Sequence, residues 1–316
     1  RLGDLIRAVR IARRFDVIIV PGTGILDDFG DRWTGMALQL FNWALAARLA
    51  GTPLAFVSIG AGPILHPLSR RLMKAAARLA RYRSYRDRNS KDFMTGIGLR
   101  RPGDRVTPDL AFRLPRPEAA APAHGGKVIG LGVMGYNGWK HAQADGGAIY
   151  RGYVGKLGEF GAWLIGKGYG VRLIVGDDGD AQAVKDIAGA IAAERGASGS
   201  DGIIAEPAAS LTDVMRQIGE TELVVATRFH NIVCALMMAK PAISIGYAKK
   251  NDVLLGEAGL GDFCQHIERL DVDLLKRQFE TLMAERERHI PRIAATAEAY
   301  RQELEAQEAR LLTELL

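Results

Sequence analysis

The sequence predicts an α/β protein with two domains, each built on a parallel β-sheet. Short apolar runs alternate with longer helix-like segments along most of the 316 residues, which is typical of parallel sheets covered by helices on both faces. The stretch Leu114–Lys127, rich in alanine, proline and glycine, interrupts this alternation and has no periodicity, as expected of a linker. A chain of this length suits two domains of ordinary size.

The separate elements follow from local composition. Apolar runs bounded by glycine or polar residues predict buried strands. They are Val17–Val20, Leu54–Ile59, Val128–Val133, Val171–Val175, Leu223–Ala226 and Ala242–Ile245. Segments with helical periodicity between these runs predict helices. They are Gly35–Leu49, Ser69–Arg81, Gly155–Lys167, Ala181–Ala193, Leu211–Gly219 and Asn231–Ala239.

These elements divide the chain into four parts. We predict a first domain over residues 1–118, a linker over 119–127, a second domain over 128–273 and a helical tail over 274–316. The tail is rich in Glu, Arg, Ala and Leu, and we expect its helix to be broken near Pro291. It either crosses back to the first domain or mediates a homo-oligomer, and the sequence leaves both alternatives open.

Composition excludes several classes of protein. A hydrophobic share of 48% and a charged share of 25% are those of a soluble globular protein, and no apolar run approaches the roughly 20 residues of a membrane span. We see no secretory signal. Cys234 and Cys264 lie in apolar surroundings, as buried free thiols do, so we expect a reducing cytoplasm.

Charge is unevenly distributed along the chain. Residues 1–150 hold 23 Lys and Arg against 11 Asp and Glu, whereas residues 151–316 hold 19 against 25. The cations of the first part concentrate in Arg7–Arg14 and Arg70–Arg83. They form either a solvated helix face or a contact with an anionic membrane surface or lipid-linked acceptor. Aromatic residues are only 7% of the chain and do not interleave with the cations, so we expect no nucleic acid partner.

Residues 221–250 carry the strongest signal for function. Arg228 and His230 follow the predicted strand Leu223–Ala226, and Lys249 and Lys250 follow the next strand. Ligands of open α/β sheets bind beyond the carboxyl ends of the strands, and helix N-termini hold anions. These cations therefore predict a small phosphorylated or carboxylated ligand. In an extended turn, Arg228 and His230 would point to one side and Phe229 into the core.

Motifs in this block and elsewhere resemble those of the polysaccharide pyruvyl transferase family. The sequence T-R-F-H at Thr227–His230 precedes a helix-like stretch and then the pattern P-x-I-x-I-x-Y-x-x-K at Pro241–Lys250. The further matches follow the family's order. They are Asp16–Asp28, Val57–Pro63, Arg86–Ser90, Pro108–Phe112 and Ser210–Asp213. The resemblance spans residues 16–262, although Pro21 and Thr23 stand where the family often has glycines.

The resemblance implies a fold and an activity. The fold is GT-B-like, with two Rossmann-like domains facing a crevice, the acceptor on the first and the donor phosphate on the second. The activity is transfer of pyruvate from phosphoenolpyruvate, as a ketal, to a sugar or lipid-linked oligosaccharide in exopolysaccharide or cell-envelope biosynthesis. Phosphoenolpyruvate is then a donor substrate, and no cofactor or metal is expected. Because the family opens with a strand and a loop before its first helix, the start of the first domain is expected to be missing.

The same resemblance assigns roles to the cations. Arg228 and Lys250 would hold the carboxylate and phosphate of the donor, with Arg86 as a third cation from the first domain. His230 is our candidate for the general acid, and Asp28 is our candidate for the base. The structural alternatives are an Arg86 paired with the neighbouring Asp87 to fix a turn, and an Asp28 that caps a helix.

Other candidates come from turns that follow strands. Gly22 and Gly24 would let the backbone approach a ligand, although the turn is not a G-x-G-x-x-G fingerprint. Asn137 and Trp139 either contact a sugar or belong to a surface loop. Asp177, Asp178 and Asp180 follow the strand Val171–Val175, but they lack an EF-hand spacing and a His or Cys ligand set. We therefore predict a solvated turn there and no metal site.

Two other functions stay open from the sequence. A nucleotide-sugar glycosyltransferase on the same scaffold would use the same cations for a diphosphate, although no separate acidic pair suits a ribose. A non-catalytic binding or assembly subunit would keep the scaffold without turnover. We expect a cytoplasmic protein that is either soluble or peripheral on the inner face of the membrane.

Overall fold

The computed structural model describes residues 2–28, 31–118, 127–138, 145–196 and 199–316. The chain divides into two compact units. The first unit contains Arg1–Arg113 and Tyr300–Leu316, and the second contains Leu114–Ala299. Residues 119–126 of the predicted linker lie outside the described residues. Both units contain a wholly parallel sheet, so the predicted α/β class is confirmed.

The sheet of the first unit has four strands in the order β1-β2-β3-β4. They are β1 (Ile18–Pro21), β2 (Leu54–Ile59), β3 (Tyr82–Tyr85) and β4 (Arg105–Val106). The helices before and between them are α1 (Leu2–Ala12), α2 (Met36–Ala50), α3 (Pro67–Leu79) and α4 (Arg88–Gly96). Alanines dominate the buried face of α2, which lets this helix approach the core residues of β2 closely.

The sheet of the second unit has six strands in the order β10-β9-β8-β5-β6-β7. They are β5 (Val128–Gly132), β6 (Gly170–Ile174), β7 (Ile203–Ala205), β8 (Leu223–Ala226), β9 (Ala242–Gly246) and β10 (Cys264–His266). Helices α5 (Gly146–Gly166), α6 (Ala181–Arg195), α7 (Leu211–Gly219), α8 (Phe229–Met237) and α9 (Lys249–Glu257) connect them. Sequence patterns missed the strands β3, β4, β7 and β10. β3 has the sequence Tyr-Arg-Ser-Tyr and is not an apolar run, and the other three are too short to show periodicity.

A single long helix, α10 (Val272–Leu315), forms the C-terminal tail. The predicted break near Pro291 is wrong, because the helix continues through this residue. Proline removes one backbone donor, but Ile293 and Ala297 are buried on the following turns and hold the helix in place. From Tyr300 onward the helix belongs to the first unit, where Leu315 packs against Val57 and Tyr82. The tail therefore returns to the first domain, as one alternative had it.

The parallel sheets determine where ligands bind within each unit. The loops after all strands of a parallel sheet emerge at one edge, which we call the carboxyl edge of that unit. In the second unit the loops after β5, β6, β8 and β9 meet there, since these strands are neighbours in the sheet. In the first unit the loops after β1, β2, β3 and β4 do the same.

Candidate active site

The strongest cluster of predicted residues lies at the carboxyl edge of the second unit. Helix α8 begins at Phe229, directly after β8, so Arg228 is its N-cap residue and the exposed His230 lies in its first turn. The extended turn expected at this position is therefore wrong, since helical geometry begins one residue after Arg228. Phe229 is buried, as expected.

Asp180 holds the guanidinium of Arg228. Nε of Arg228 donates to Oδ2 at 2.8 Å, and Nη2 donates to Oδ1 at 2.7 Å. The Asp180 side chain is 1% exposed and that of Arg228 is 24% exposed. Oδ1 also accepts a hydrogen bond from the backbone N–H of Gly135 at 3.0 Å. One buried carboxylate thus joins the loops after β5 and β6 to the start of α8.

The predicted solvated turn at Asp177–Asp180 is therefore wrong for Asp180. Asp177 does behave as a turn residue, since its Oδ1 accepts from the backbone N–H of Gly179 at 2.9 Å. Asp180 is buried because β6 lies beside β5, and this brings its loop against the start of α8. The sequence contains no strand order, so only the position of Asp180 after a strand hinted at such a role.

Gly176 lets Arg228 reach Asp180. A Cβ at Gly176 would lie 2.7 Å from Cγ of Arg228, so a larger residue would displace the arginine. Burial alone lowers the pKa of Arg228, but the hydrogen bonds and charge of Asp180 outweigh burial and raise it above its ordinary value. Nη1 of Arg228 has no hydrogen-bond partner within the described part of the chain. The clamped side chain therefore presents a permanently charged donor to an incoming anion.

Lys250 is held between two aromatic rings near the start of α8. Its Nζ lies 5.2 Å from the ring centroid of Phe229 and 5.0 Å from that of Tyr247. It also donates a hydrogen bond to the Tyr247 hydroxyl at 3.0 Å. Lys249 is exposed, whereas Lys250 is half-buried. The structure thus distinguishes the two lysines, since Lys250 is the one held beside the start of α8.

Asn231 lies beneath this cluster and was not singled out from the sequence. It is fully buried in the first turn of α8, and neither atom of its amide has a hydrogen-bond partner in the described residues. A Cβ at Gly132 would lie 2.5 Å from its Nδ2, and a Cβ at Gly176 would lie 2.9 Å from its Oδ1. The glycines at the ends of β5 and β6 therefore leave room for this amide.

The predicted sugar-binding loop is only partly described. Asn137 is exposed, and its backbone carbonyl lies so close to Gly146 that a Cβ there would be 2.6 Å away. Trp139 lies outside the described residues. Tyr136, in the same loop, stacks on Tyr247 with ring centroids 5.9 Å apart and donates to Glu268 at 2.5 Å.

Arg86 lies at the carboxyl edge of the first unit. Its Nη1 is 3.7 Å from Oδ2 of Asp109, and its Nε is 3.5 Å from Oδ2 of Asp87. A Cβ at Gly60 would lie 2.7 Å from Nη2 of Arg86, so the guanidinium rests on the bare backbone after β2. The pairing with Asp87 that sequence reasoning left open is present, and the structure adds the buried Asp109.

Asp28 anchors a loop of the same unit. Its Oδ2 accepts a hydrogen bond from the backbone N–H of His66 at 2.8 Å, and the residue is only 3% exposed. The alternative of a helix cap is wrong, because α2 begins at Met36 with Gly35 as its N-cap residue. Gly22 packs against Leu110 and the carbonyl of Ser58, and Gly24 lies half-buried in the bend that follows β1.

The described residues contain neither a metal-binding cluster nor a membrane-spanning helix. No group of three or more His, Cys, Asp and Glu side chains within them is arranged to hold a metal ion. None of their helices combines the length and apolar character required to cross a membrane.

The energetic coupling between Asp180 and Arg228 can be measured with a double-mutant cycle. We expect Arg228→Leu to lower the free energy of unfolding by about 3 kcal/mol, because it leaves a buried carboxylate without its cation. Adding Asp180→Asn should restore much of this loss, since the buried charge is then gone. Urea unfolding of the wild type, the two single variants and the double variant measures the coupling.

The exposed pair Asp213–Arg216 provides the matched control for this cycle. A cycle of Asp213→Asn and Arg216→Leu should give a coupling well below ~1 kcal/mol. Additive effects of the Asp180 and Arg228 substitutions would show that the clamp does not organise this edge.

Several solved structures are similar to the whole chain. The UDP-GlcNAc 2-epimerase from Neisseria meningitidis, bound to UDP-GlcNAc, matches with 12% identity and a TM-score of 0.60 over 98% of this chain and 80% of its own. An α,α-trehalose-phosphate synthase (UDP-forming) from Burkholderia vietnamiensis matches with 14% identity and a TM-score of 0.59, over 99% and 78%. MnaA from S. aureus, solved with UDP, matches with 12% identity and a TM-score of 0.59, over 99% and 82%.

These structures establish the GT-B-like fold of this chain, and their low identities limit the comparison to the fold. No curated protein matches the sequence. The family model of polysaccharide pyruvyl transferases matches residues 3–249, which is well over half of the chain. The match includes both carboxyl edges and the cations Arg86 and Arg228. The chain belongs to the polysaccharide pyruvyl transferase family.

Proposed function

We propose that this protein transfers pyruvate from phosphoenolpyruvate to a sugar as a ketal. The observation that carries the proposal is the cation cluster at the carboxyl edge of the second unit, in a member of this family. Arg228 is clamped with Nη1 available, and Lys250 is held beside the same helix start. Phosphoenolpyruvate carries a carboxylate and a phosphate, so it requires cations at two positions. The N-terminus of α8 adds further positive potential.

The reaction needs one acid and one base. Protonation of the methylene carbon of phosphoenolpyruvate gives the methyl group and leaves positive character on the neighbouring carbon. A sugar hydroxyl adds to that carbon, the bond to the phosphate oxygen breaks, and a second hydroxyl closes the ketal. Two hydroxyl protons are lost in total, which balances the proton gained by carbon and the proton that leaves with phosphate.

Two residues are proposed for these proton transfers. His230 is our candidate for the acid, because it is exposed in the first turn of α8, two residues after Arg228. Asp28 is our candidate for the base, because its carboxylate lies at the carboxyl edge of the first unit. Arg86 supplies a cation at that edge, and Gly22, Gly24 and Asn137 are proposed to contact substrate through their loops.

A nucleotide-sugar glycosyltransferase is the alternative to be excluded, since similar structures contain UDP or UDP-GlcNAc. We expect phosphoenolpyruvate, and not a UDP-sugar, to raise the melting temperature. A ligand at ~100 times its dissociation constant stabilises by ~2.7 kcal/mol. Phosphate release in the presence of sugar acceptors is the second measurement. Stabilisation and turnover by a UDP-sugar alone would refute pyruvate transfer, and binding without turnover would indicate an assembly subunit.

Two substitutions separate binding from proton transfer. We expect Arg228→Lys to keep the fold, because a positive charge still faces Asp180. We also expect it to abolish most turnover, because lysine lacks the planar set of donors that the guanidinium provides. We expect His230→Ala to lower kcat by ~10²–10⁴-fold with little change in donor affinity, since an acid acts in the transition state. Single-turnover kinetics and direct titration of phosphoenolpyruvate measure the two effects.

His289→Ala is the matched control for His230, because His289 lies on α10, outside the cluster. It should leave both kinetic constants near those of the wild type. A loss of donor affinity as large as the loss of kcat in His230→Ala would make His230 a binding residue instead of the acid.

We further propose that the protein docks peripherally on the inner face of the membrane, where a lipid-linked acceptor would lie. The cations of α1 are exposed. They include Arg7 and Arg10, with Arg13 and Arg14 in the turn that follows. By contrast, the cations of α3 are partly used within the unit. Nζ of Lys74 donates to the carbonyl of Ile97 at 2.7 Å, and Arg78 donates to that of Gly98 at 3.2 Å.

Liposome flotation tests this docking. We expect recovery on anionic vesicles at low salt and loss of recovery on neutral vesicles or at high salt, because each cation near the surface contributes ~1 kcal/mol. Replacing Arg7, Arg10 and Arg14 by Gln should abolish recovery. The charge-matched control replaces the exposed Arg216, Arg277 and Arg288 by Gln. Equal loss in both triple variants would mean that net charge alone is sensed.

A further inference from the structure

The strand β2 contains a backbone feature that a strand does not normally have. Ser58 has φ 51°, in the left-handed region that disfavours residues other than glycine. The pairing of β2 with β3 shifts register between Phe56 and Ile59, which marks a β-bulge around Ser58. Such strain persists only where surrounding contacts impose it, and bulges beside sites redirect the residues that follow.

Gln307, on α10, lies at the centre of the hydrogen bonds around this conformation. Its Nε2 donates to Oγ of Ser58 at 3.0 Å. Its Oε1 accepts three hydroxyl hydrogen bonds, from Tyr82 at 3.0 Å, Ser84 at 2.5 Å and Thr107 at 2.7 Å. Gln307 is 1% exposed. A single amide therefore ties β2, β3 and the residue after β4 together.

The network closes on Ser58 itself. Thr107 donates to Gln307, so the hydroxyl of Ser58 donates in turn to Thr107 at 3.0 Å. The backbone N–H of Ser58, which leaves the strand ladder at the bulge, donates to Oγ of Ser84 at 2.7 Å. Every polar group of this buried network thus has a partner, which is the condition for such a network to fix one geometry.

The bulge sets the path of the chain toward Arg86. Directly after it, the carbonyl of Ile59 accepts from the backbone N–H of Arg86 at 3.0 Å, and the N–H of Gly60 donates to the carbonyl of Thr23 at 2.8 Å. The guanidinium of Arg86 lies against Gly60, and Gly22 packs against the carbonyl of Ser58. The positions of Arg86 and of the glycine turn after β1 therefore depend on the backbone conformation at Ser58.

We propose that Gln307 is a positioning residue for the substrate site of the first unit. It holds the strained bulge at Ser58, and the bulge in turn aligns Gly60 and Arg86 for an anionic substrate. The C-terminal helix is thus part of the construction of this site. The proposal rests on the proposed function only for the identity of the substrate, because the alignment itself is a property of the free protein.

The test uses Gln307→Leu, Ser58→Gly and the double variant, with the exposed Gln302→Leu on the same helix as the matched control. We expect Gln307→Leu to speed hydrogen exchange of the Gly60 amide by about tenfold, and to raise KM for phosphoenolpyruvate more than it changes kcat. Glycine adopts the left-handed conformation without strain. Ser58→Gly should therefore return both readouts of the Gln307→Leu protein toward the wild type, whereas Gln302→Leu should change neither.

A second variant covers the case in which Gln307→Leu does not fold. Gln307→Glu keeps an acceptor for the three hydroxyls and replaces the donor to Ser58 by a charged carboxylate oxygen. It should therefore show the same exchange at Gly60 and the same rescue by Ser58→Gly. Unchanged Gly60 exchange in a folded Gln307 variant, or no rescue by Ser58→Gly, would overturn the proposal. Exchange is measured without substrate, so absence of pyruvate transfer in the wild type would refute the proposed function and leave this result standing.

Discussion

The buried carboxylate of Asp180 is the constraint on which the second unit's site depends. A carboxylate that is 1% exposed needs a cation and hydrogen-bond donors, and Arg228 and the N–H of Gly135 supply them. These contacts to Asp180 fix the start of α8 against the loops after β5 and β6. The same arrangement requires glycine at two positions. A side chain at Gly176 would occupy the space of Arg228 and Asn231, and one at Gly132 would occupy that of Asn231.

In the first unit, neutral groups around Ser58 meet a similar constraint. The amide of Gln307 satisfies hydroxyls from β2, β3 and the residue after β4, and no charge is buried in this network. The ionic contacts lie outside it, where Arg86 faces Asp109 and Asp87. The two carboxyl edges thus use different means to the same end, which is to hold one arginine in a defined position.

Sequence patterns predicted the parts of this arrangement that depend on local order. The alternation of apolar runs and helical segments predicted the α/β class. The positions of Arg228 and Lys250 after strands predicted two of the candidate cations, and the resemblance to the family added Arg86. The partners were not predictable, because Asp180 and Gln307 act across distances of 48 residues and about 200 to 250 residues along the chain. Strand order and the return of α10 decide those contacts. Helix α8 also begins earlier than an extended turn would allow, which changes how Arg228 and His230 are presented.

The orientation of the guanidinium carries a consequence for the chemistry. Asp180 occupies Nε and Nη2 of Arg228, so the face that a substrate would meet is Nη1, on the side away from the buried carboxylate. An arginine held in this way contributes a fixed charge and donor and loses little side-chain entropy when an anion binds. Lys250, packed between Phe229 and Tyr247, is restricted in the same manner. Both cations are therefore placed before a ligand arrives, and electrostatic stabilisation of a developing charge depends on such preorganisation.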